Sequence, residues 1–475
     1  MVFLLGDRVY KAKKPIRTEF LDFRDVGARR KVCAREVELN LRLAPDVYLG
    51  VAELPGPTAA DGEPLVVMRR MPEDARLSTL VHDGDRGDIG DRIDAIADTV
   101  ARFHARALRG PDIDAEGTAN AVRRRWCNNI RETRALDQRI LDDARLDALE
   151  QRVLQYLDGR GALFAERIDA GRIVDGHGDL LADDIFWLPD GPRILDCLEF
   201  DDRLRYLDEI DDIACLAMDL EFLDRPDLAA RLFERYTATA DDPAPASLRH
   251  QYVAYRAFMR AKVDCVRYLQ GREASADDAL RHTALAEDHL DRGAVRLAIV
   301  GGLPATGKST VAAALADEAG AALVSSDALR REMFAADRAA DPDPGFGCGR
   351  YSADATARVY QALLDRARSH LERGVSVVLD ASWTDGDWRA RASEVAADAR
   401  ADLVSLRCLV PPEVAERRLR ERAGSGRDHD SEATSGVARA MAERADPWPE
   451  AGDIDTGGPV EQALAAAVEH WESRQ

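Results

Sequence analysis

Short apolar runs with turn residues between them open the chain. Val2–Leu5 and Arg8–Lys13 read as strands joined by a Gly6-Asp7 hairpin turn. Arg29 to Leu43 carries apolar residues at helical spacing and stops before Pro45, and Leu65–Met68 is another short strand-like run. From Asp91 to Leu157 the period is mostly helical. Strand-like runs return at Gly171–Val174 and Arg193–Leu198, separated by a turn at Pro189-Asp190-Gly191, and helices resume from Asp208 to His289. The polar, Ala-rich segment Gly271 to Asp291 closes this region, which gives domains of 1–292 and 293–475. After it, Arg296–Val300, Ala322–Ser325, Val375–Leu379 and Leu403–Val410 read as strands with helices between them. That alternation predicts a parallel sheet with crossover helices.

Composition narrows the class. A chain of 475 residues exceeds one ordinary core, and 32% charged residues with 46% hydrophobic ones is an ordinary globular balance. No apolar run is long enough to span a bilayer, so no membrane partner is expected. Seven scattered cysteines without metal-binding spacing fit reduced thiols in a cytoplasm. The net charge of −21 disfavours nucleic acid as a partner. Only six of the 66 basic residues are lysines, and three of them (Lys11, Lys13, Lys14) share one segment while Lys308 sits in a Gly-rich loop. In a chain that otherwise uses Arg, such lysines mark places that need a compact ammonium group.

That loop, Gly302-Leu-Pro-Ala-Thr306-Gly307-Lys308-Ser309, fits the pattern G-x-x-x-x-G-K-[ST] between an apolar strand and an Ala-rich helix. Its glycines let backbone N–H groups converge on phosphate oxygens, and the helix offers its N-terminus to the anion. ATP is therefore the expected nucleotide, held by Gly302, Thr306, Gly307, Lys308, Ser309 and Thr310, with the Ser309 hydroxyl on Mg²⁺. Asp380 ends the apolar run Val375–Leu379 and is a second Mg²⁺ candidate. Asp327, after Ser325-Ser326, emerges at the carboxyl edge of the sheet, where ligands bind. It equally suits the N-cap of a helix starting at Ala328.

Ser325-Ser326-Asp327 followed by Arg330 resembles the small P-loop kinases, the group of gluconate kinases, polynucleotide kinase and zeta toxins. The resemblance implies that Asp327 is the base on the acceptor hydroxyl and that Arg330 orients acceptor or phosphate. The run Arg417, Arg418, Arg420, Arg422 is placed like that family's lid, where Arg417 and Arg420 would contact phosphates; a solvated basic helix explains the run equally well.

In the first domain, His177-Gly178-Asp179-Leu180 precedes Asp184, and Asp196 follows a short hairpin. Two carboxylate stations joined in this way suit phosphoryl transfer, one taking a proton and the others holding Mg²⁺. Their order and spacing are similar to the aminoglycoside phosphotransferase family, whose fold is protein-kinase-like. The resemblance implies Asp179 as catalytic base, Asp184 and Asp196 as metal ligands and His177 as scaffold. It also implies that Lys11 or Lys13 reaches the nucleotide, that Glu36 is the ion-pair partner, and that Val66 to Pro72 lines the adenine pocket. Asp184 stands where that family usually has Asn, and Leu181 where a second His is common. Only ten residues precede Lys11, where that family's lobe normally begins with further strands, so either the chain's start lies further upstream or this lobe is incomplete.

Smaller signals read as structure. Trp126 and the row Tyr252, Tyr255, Phe258, Met259 are expected in the core, and His104 is expected to be a packed helix residue.

The sequence thus predicts an α+β protein-kinase-like phosphotransferase domain followed by an α/β P-loop NTPase domain with a parallel sheet. Both would use ATP and Mg²⁺ on a small-molecule hydroxyl acceptor. Two alternatives stay open: an amino-terminal pseudokinase that regulates the P-loop kinase, and a non-enzymatic ATP-binding switch.

Overall fold

The computed structural model describes residues 1–16, 23–56, 62–82, 88–137, 139–335, 349–424 and 435–473. The chain divides into two compact units. The first comprises Met1–Val153, Phe164–Ala244 and Leu248–Gly293; the second comprises Leu154–Leu163, Pro245–Ser247 and Ala294–Gln475.

The first unit begins with β1 (Val2–Leu5), β2 (Arg8–Ala12), α1 (Val26–Asn40), β3 (Tyr48–Leu54) and β4 (Glu63–Arg69). The strands form one antiparallel sheet in the order β1-β2-β4-β3. Gly6 turns the first hairpin at φ +60°, a conformation that suits glycine. Asp25 caps α1, its carboxylate accepting from the Ala28 N–H, so the helix starts three residues before the predicted Arg29. The strand β3, which the sequence pattern did not reveal, packs Tyr48 with Val66 and Cys33 in a small core.

Helices dominate the remainder of this unit: α2 (Leu77–His82), α3 (Ile89–Arg106), α4 (Pro111–Asp114), α5 (Ala119–Ala135), α6 (Asp143–Asp158) and α7 (Gly161–Asp169) precede a group of short strands. These are β5 (Ile173–Asp175), β6 (Ile185–Leu188), β7 (Gly191–Ile194) and β8 (Tyr206–Asp208). The hairpin joins β6 to β7, while β5 pairs with β8. The predicted strand Arg193–Leu198 is therefore cut short at Ile194. Asp196, at φ +60°, breaks extended geometry there. Helices α8 (Glu209–Phe222), α9 (Pro226–Ala240), α10 (Ala246–Leu269) and α11 (Ser275–Arg292) complete the unit. Trp126, Tyr252, Tyr255 and Phe258 are buried, and the Trp126 ring stacks on Phe258 at 5.6 Å. A small antiparallel sheet with one helix is followed by a mostly helical lobe, the α+β arrangement expected from the sequence.

The second unit is an α/β domain. It contains β9 (Arg296–Gly301), α12 (Lys308–Glu318), β10 (Ala322–Ser325), α13 (Ser326–Met333), α14 (Ala353–Glu372), β11 (Val377–Asp380), α15 (Gly386–Asp398) and β12 (Asp402–Leu409). After them come α16 (Pro412–Gly424), α17 (Ser435–Arg444), β13 (Gly452–Asp455) and α18 (Val460–Glu472). Five strands run parallel in the order β10-β11-β9-β12-β13. The central strands are apolar without alternation because helices cover both faces of such a sheet. Val300, Val378 and Leu406 are fully buried against Val311 and Leu315 of α12 and Trp471 of α18. The fifth strand, β13, contains only one buried residue, Ile454, and its acidic sequence hid it from the hydrophobic pattern.

Candidate active sites

In the first unit, β2 carries Lys11 and Lys13 to α1. Lys11 Nζ lies 3.0 Å from Glu36 Oε1 and 2.5 Å from Asp196 Oδ1. Lys13 Nζ lies 2.6 Å from Glu36 Oε2 and also pairs with Glu199. Both predicted lysines thus meet the predicted glutamate, which is fully buried. Burial alone would lower the Lys11 pKa; Asp196 and Glu36 reverse this and raise it. Burial would likewise raise Asp196, but Lys11 holds its carboxyl below the usual range.

The hairpin β6–β7 places the two other carboxylates. Asp184 immediately precedes β6, its carbonyl accepts the Leu195 N–H at 2.9 Å, and Asp196 follows. Burial, and then the charges of Asp196 and Asp179, push the Asp184 carboxyl up to about 7. The Asp in place of Asn therefore holds a proton near neutrality unless a cation joins it. Asp179 Oδ1 accepts from Arg260 of α10, and Cys215 Sγ lies 3.8 Å from the same oxygen.

The loop that bears Asp179 is held by groups absent from the sequence-based reading. Asp212, fully buried on α8, accepts the His177 N–H at 2.6 Å, the Gly178 N–H at 2.9 Å and His104 Nε2 at 3.0 Å. Burial, the largest influence, disfavours its charge, but His104 and His177 together outweigh it and keep the carboxyl well below the usual range. Arg256 ties the same loop from the other side, donating to the Gly178 carbonyl and to Asp211, each at 2.6 Å. His104 is thus a hydrogen-bonding member of the loop's support rather than only a packed residue. His177 itself is neutral by burial and bonds the Leu195 carbonyl through Nε2 at 3.0 Å, which fits its scaffold role. The signal was present: Asp211 and Asp212 fall inside an apolar helical run, and a buried carboxylate needs donors.

In the second unit, the register of the sheet gathers the predicted residues at one edge. Asp380 pairs with Val300 on β9 and with Ser325 on β10, so Gly302, Asp380 and Asp327 follow or end neighbouring strands. Gly302 has φ +144°, and a Cβ there would meet Thr306 Oγ1 at 2.6 Å and the Cys408 carbonyl at 2.8 Å. Gly307, at φ +86°, opens α12. The loop is braced from outside: the Thr456 hydroxyl donates to the Thr306 carbonyl, and Arg418 donates to the carbonyls of Thr456 at 2.7 Å and Ala305 at 3.3 Å. Among the described residues, the N–H groups of Gly307, Lys308 and Ser309 have no hydrogen-bond partner, and neither does the Lys308 ammonium. Ser309 and Thr310 are exposed.

Asp380 is 5% exposed, its Oδ1 has no hydrogen-bond partner, and Oδ2 has only the Ser325 hydroxyl at 3.4 Å. A buried carboxylate oxygen left in this state fits a Mg²⁺ site completed by water and phosphate. Among the described residues, no three His, Cys, Asp or Glu side chains lie close enough to hold a metal without such outside ligands.

The acceptor residues are less alike. Asp327 is half-buried in the first turn of α13, whose N-cap is Ser325, so the alternative N-cap role at Ala328 is not what the helix adopts. Arg330 is buried; it donates to the Arg350 carbonyl and stacks over Tyr351 at 4.9 Å. Of the arginine run, Arg418 reaches the loop, whereas Arg417 is exposed beside Glu421 at 4.0 Å and Arg420 bonds the Glu416 carbonyl. The side chain of Arg422 lies outside the described residues.

Two stability predictions follow from the first site. Between the ordinary Asp value and about 7 the folded chain keeps a proton on Asp184 that the unfolded chain has lost, so this group lowers stability as pH rises through that window. Asp184→Asn removes the loss. Its unfolding free energy relative to wild type, measured by denaturation in chelator, is expected to climb from pH 5 to pH 7, at no more than about 1.4 kcal/mol per pH unit. Asp212→Ala strands three buried donors and is expected to cost about 3–5 kcal/mol in chemical denaturation. A cost below about 1 kcal/mol would mean that the loop does not depend on it.

A family model described as an AAA domain matches residues 297–448. Uncharacterized proteins of Mycobacterium tuberculosis (strain H37Rv) and Mycobacterium bovis are each 45% identical to this chain over 473 residues, 100% of this chain and 94% of theirs. Among solved structures, a gluconokinase from Sinorhizobium meliloti 1021 is 18% identical, covers 37% of this chain and 90% of its own, and has a TM-score of 0.29. The GDP and kanamycin complex of APH(2")-IIia is 16% identical, covers 60% of this chain and 86% of its own, and has a TM-score of 0.39. No helix among the described residues is long and apolar enough to cross a membrane. The chain belongs to the family of these mycobacterial proteins, and its second unit contains the AAA domain that bears the P-loop.

Proposed function

We propose that this protein is an ATP- and Mg²⁺-dependent phosphotransferase with two kinase-type sites, each acting on a small hydroxyl-bearing molecule. The observation that carries the reading is the orphaned, buried Oδ1 of Asp380 next to a phosphate-binding loop whose Gly307, Lys308 and Ser309 N–H groups are unpartnered among the described residues. Such groups are costly unless a ligand completes them.

In the second unit, Gly302, Thr306, Gly307 and Lys308 would hold the phosphates, with Ser309, Thr310 and Asp380 toward Mg²⁺. Bound Mg·ATP supplies the transferable phosphoryl group and the charge neutralisation around it. Asp327 takes the acceptor proton. Arg418, bonded to the loop itself, holds the loop's shape, while Arg330 fixes the segment around Tyr351; Arg417 and Arg420 lie on the lid helix. In the first unit, Lys11, Lys13 and Glu36 would hold the nucleotide, Asp184 and Asp196 would hold the metal, and Asp179 acts as base.

One observation favours a second reading for the first unit: the Arg260 ion pair on Asp179 opposes its use as a base. In that reading the unit binds nucleotide and regulates the P-loop kinase. Transfer of labelled γ-phosphate to a panel of sugars, amino sugars and nucleosides separates the two. Two active sites predict that Asp327→Asn and Asp179→Asn each abolish transfer to a different acceptor, by about 10²–10⁴-fold. Loss of all transfer in Asp327→Asn with full activity in Asp179→Asn would leave the regulatory reading. No transfer by the wild type, with ATP still bound, would overturn both.

A further inference from the structure

The first unit has a concavity of about 480 Å³ that neither nucleotide site uses, formed by the carboxy-terminal half of α1 and the end of α3. Its size suits a small molecule. Four arginines line it, Arg35, Arg42, Arg102 and Arg106, against two carboxylates, Glu38 and Asp175. Both carboxylates are already neutralised: Arg35 lies 2.9 Å from Glu38, and Arg205 donates to Asp175 at 2.8 Å. Arg42 is also committed, donating to the carbonyls of Asp175 at 3.0 Å and Gly176 at 2.8 Å and stacking over Phe103 at 4.9 Å.

Two cations have no carboxylate within ion-pair distance among the described residues. Arg106 has no hydrogen-bond partner there, and Arg102 donates to the Thr99 hydroxyl at 3.1 Å and feels the charge of Asp98 one turn earlier. The two guanidinium groups are exposed, one helical turn apart, at the rim of an apolar wall in a chain of net charge −21. The helix dipole accounts for Arg106 in the last turn of α3. It does not account for Arg102 one turn earlier, nor for the wall of Leu39, Leu43 and Phe103 beneath them. Guanidinium pairs match the oxygens of a phosphate, and the apolar wall matches a hydrocarbon or aromatic body.

We infer that this pocket binds a small phosphate monoester with an apolar body, held by Arg102 and Arg106 over Phe103. The ligand would rest on α1, the helix whose Glu36 pairs with Lys11 and Lys13. The inference does not depend on which reaction the nucleotide sites perform.

Phenyl phosphate is the probe, titrated calorimetrically into the full chain. Saturable one-to-one binding is expected in the wild type, in Lys308→Ala and in Asp196→Ala, because none of these changes touches the pocket. Arg102→Glu/Arg106→Glu is expected to weaken it at least tenfold. Arg102→Gln/Arg106→Gln, which removes charge without reversing it, should weaken it by a smaller factor and serves if the first variant does not fold. Unchanged affinity in folded arginine variants, absence of saturable binding in the wild type, or its loss in Lys308→Ala or Asp196→Ala would each overturn the inference.

Discussion

A charge taken out of water must find compensation within the fold or from a ligand, and both candidate sites are organised by that demand. In the first unit the compensation is internal. Asp212 is fully buried, and its two oxygens collect donors from α3 and from both residues that precede Asp179. The loop thereby has one conformation, set from beneath by Asp212 and Arg256. Glu36 does the same for the sheet, drawing Lys11 and Lys13 to α1. In the second unit Asp380 is also buried, but its Oδ1 has neither a hydrogen-bond donor nor a paired cation within the fold, a lack that a cation from outside would make good.

A phosphate-binding loop has the opposite problem. The N–H groups of Gly307, Lys308 and Ser309 must stay unpartnered to be useful, and within the loop only the Thr306 N–H closes on a loop carbonyl, that of Leu303 at 3.3 Å. The bracing comes from distant sequence instead. Thr456 follows β13 and takes hold of the Thr306 carbonyl, Arg418 spans the carbonyls of Ala305 and Thr456, and Ser382 accepts the Gly302 N–H at 3.1 Å. Close approach of Cys408 to Gly302 leaves no room for a Cβ, which is why the first glycine of the motif is needed as much for packing as for its φ.

Which parts of this could be read from sequence follows from how local the signals are. The loop Gly302–Ser309 and the parallel strands β9 to β12 were legible, because a short motif or an apolar run encodes each, whereas the Lys11–Glu36 pair was reached only through the family resemblance. The strands β3 and β13 were not, since one alternates around Gly50 and the other is largely acidic. The turn of hairpin β6–β7 was legible, but its second strand was read too far along the chain, because the apolar run Arg193–Leu198 continues past the point where Asp196 turns left-handed. The support of Asp179 by Asp212, His104 and Arg256 spans three helices far apart in sequence. Only the oddity of two carboxylates in the apolar stretch of α8 announced it. Arg418 could not be told from Arg417 and Arg420 without knowing which face of α16 meets the loop.

The central claim is that each unit has its own nucleotide site, one dependent on Lys308 and one on Asp196. Calorimetric titration of Mg·ATP into the wild type, Lys308→Ala and Asp196→Ala tests it most directly. The account predicts two sites in the wild type, with each variant losing a different one. A single wild-type site that disappears in Lys308→Ala and persists in Asp196→Ala would contradict it and leave the P-loop domain as the sole ATP-binding unit.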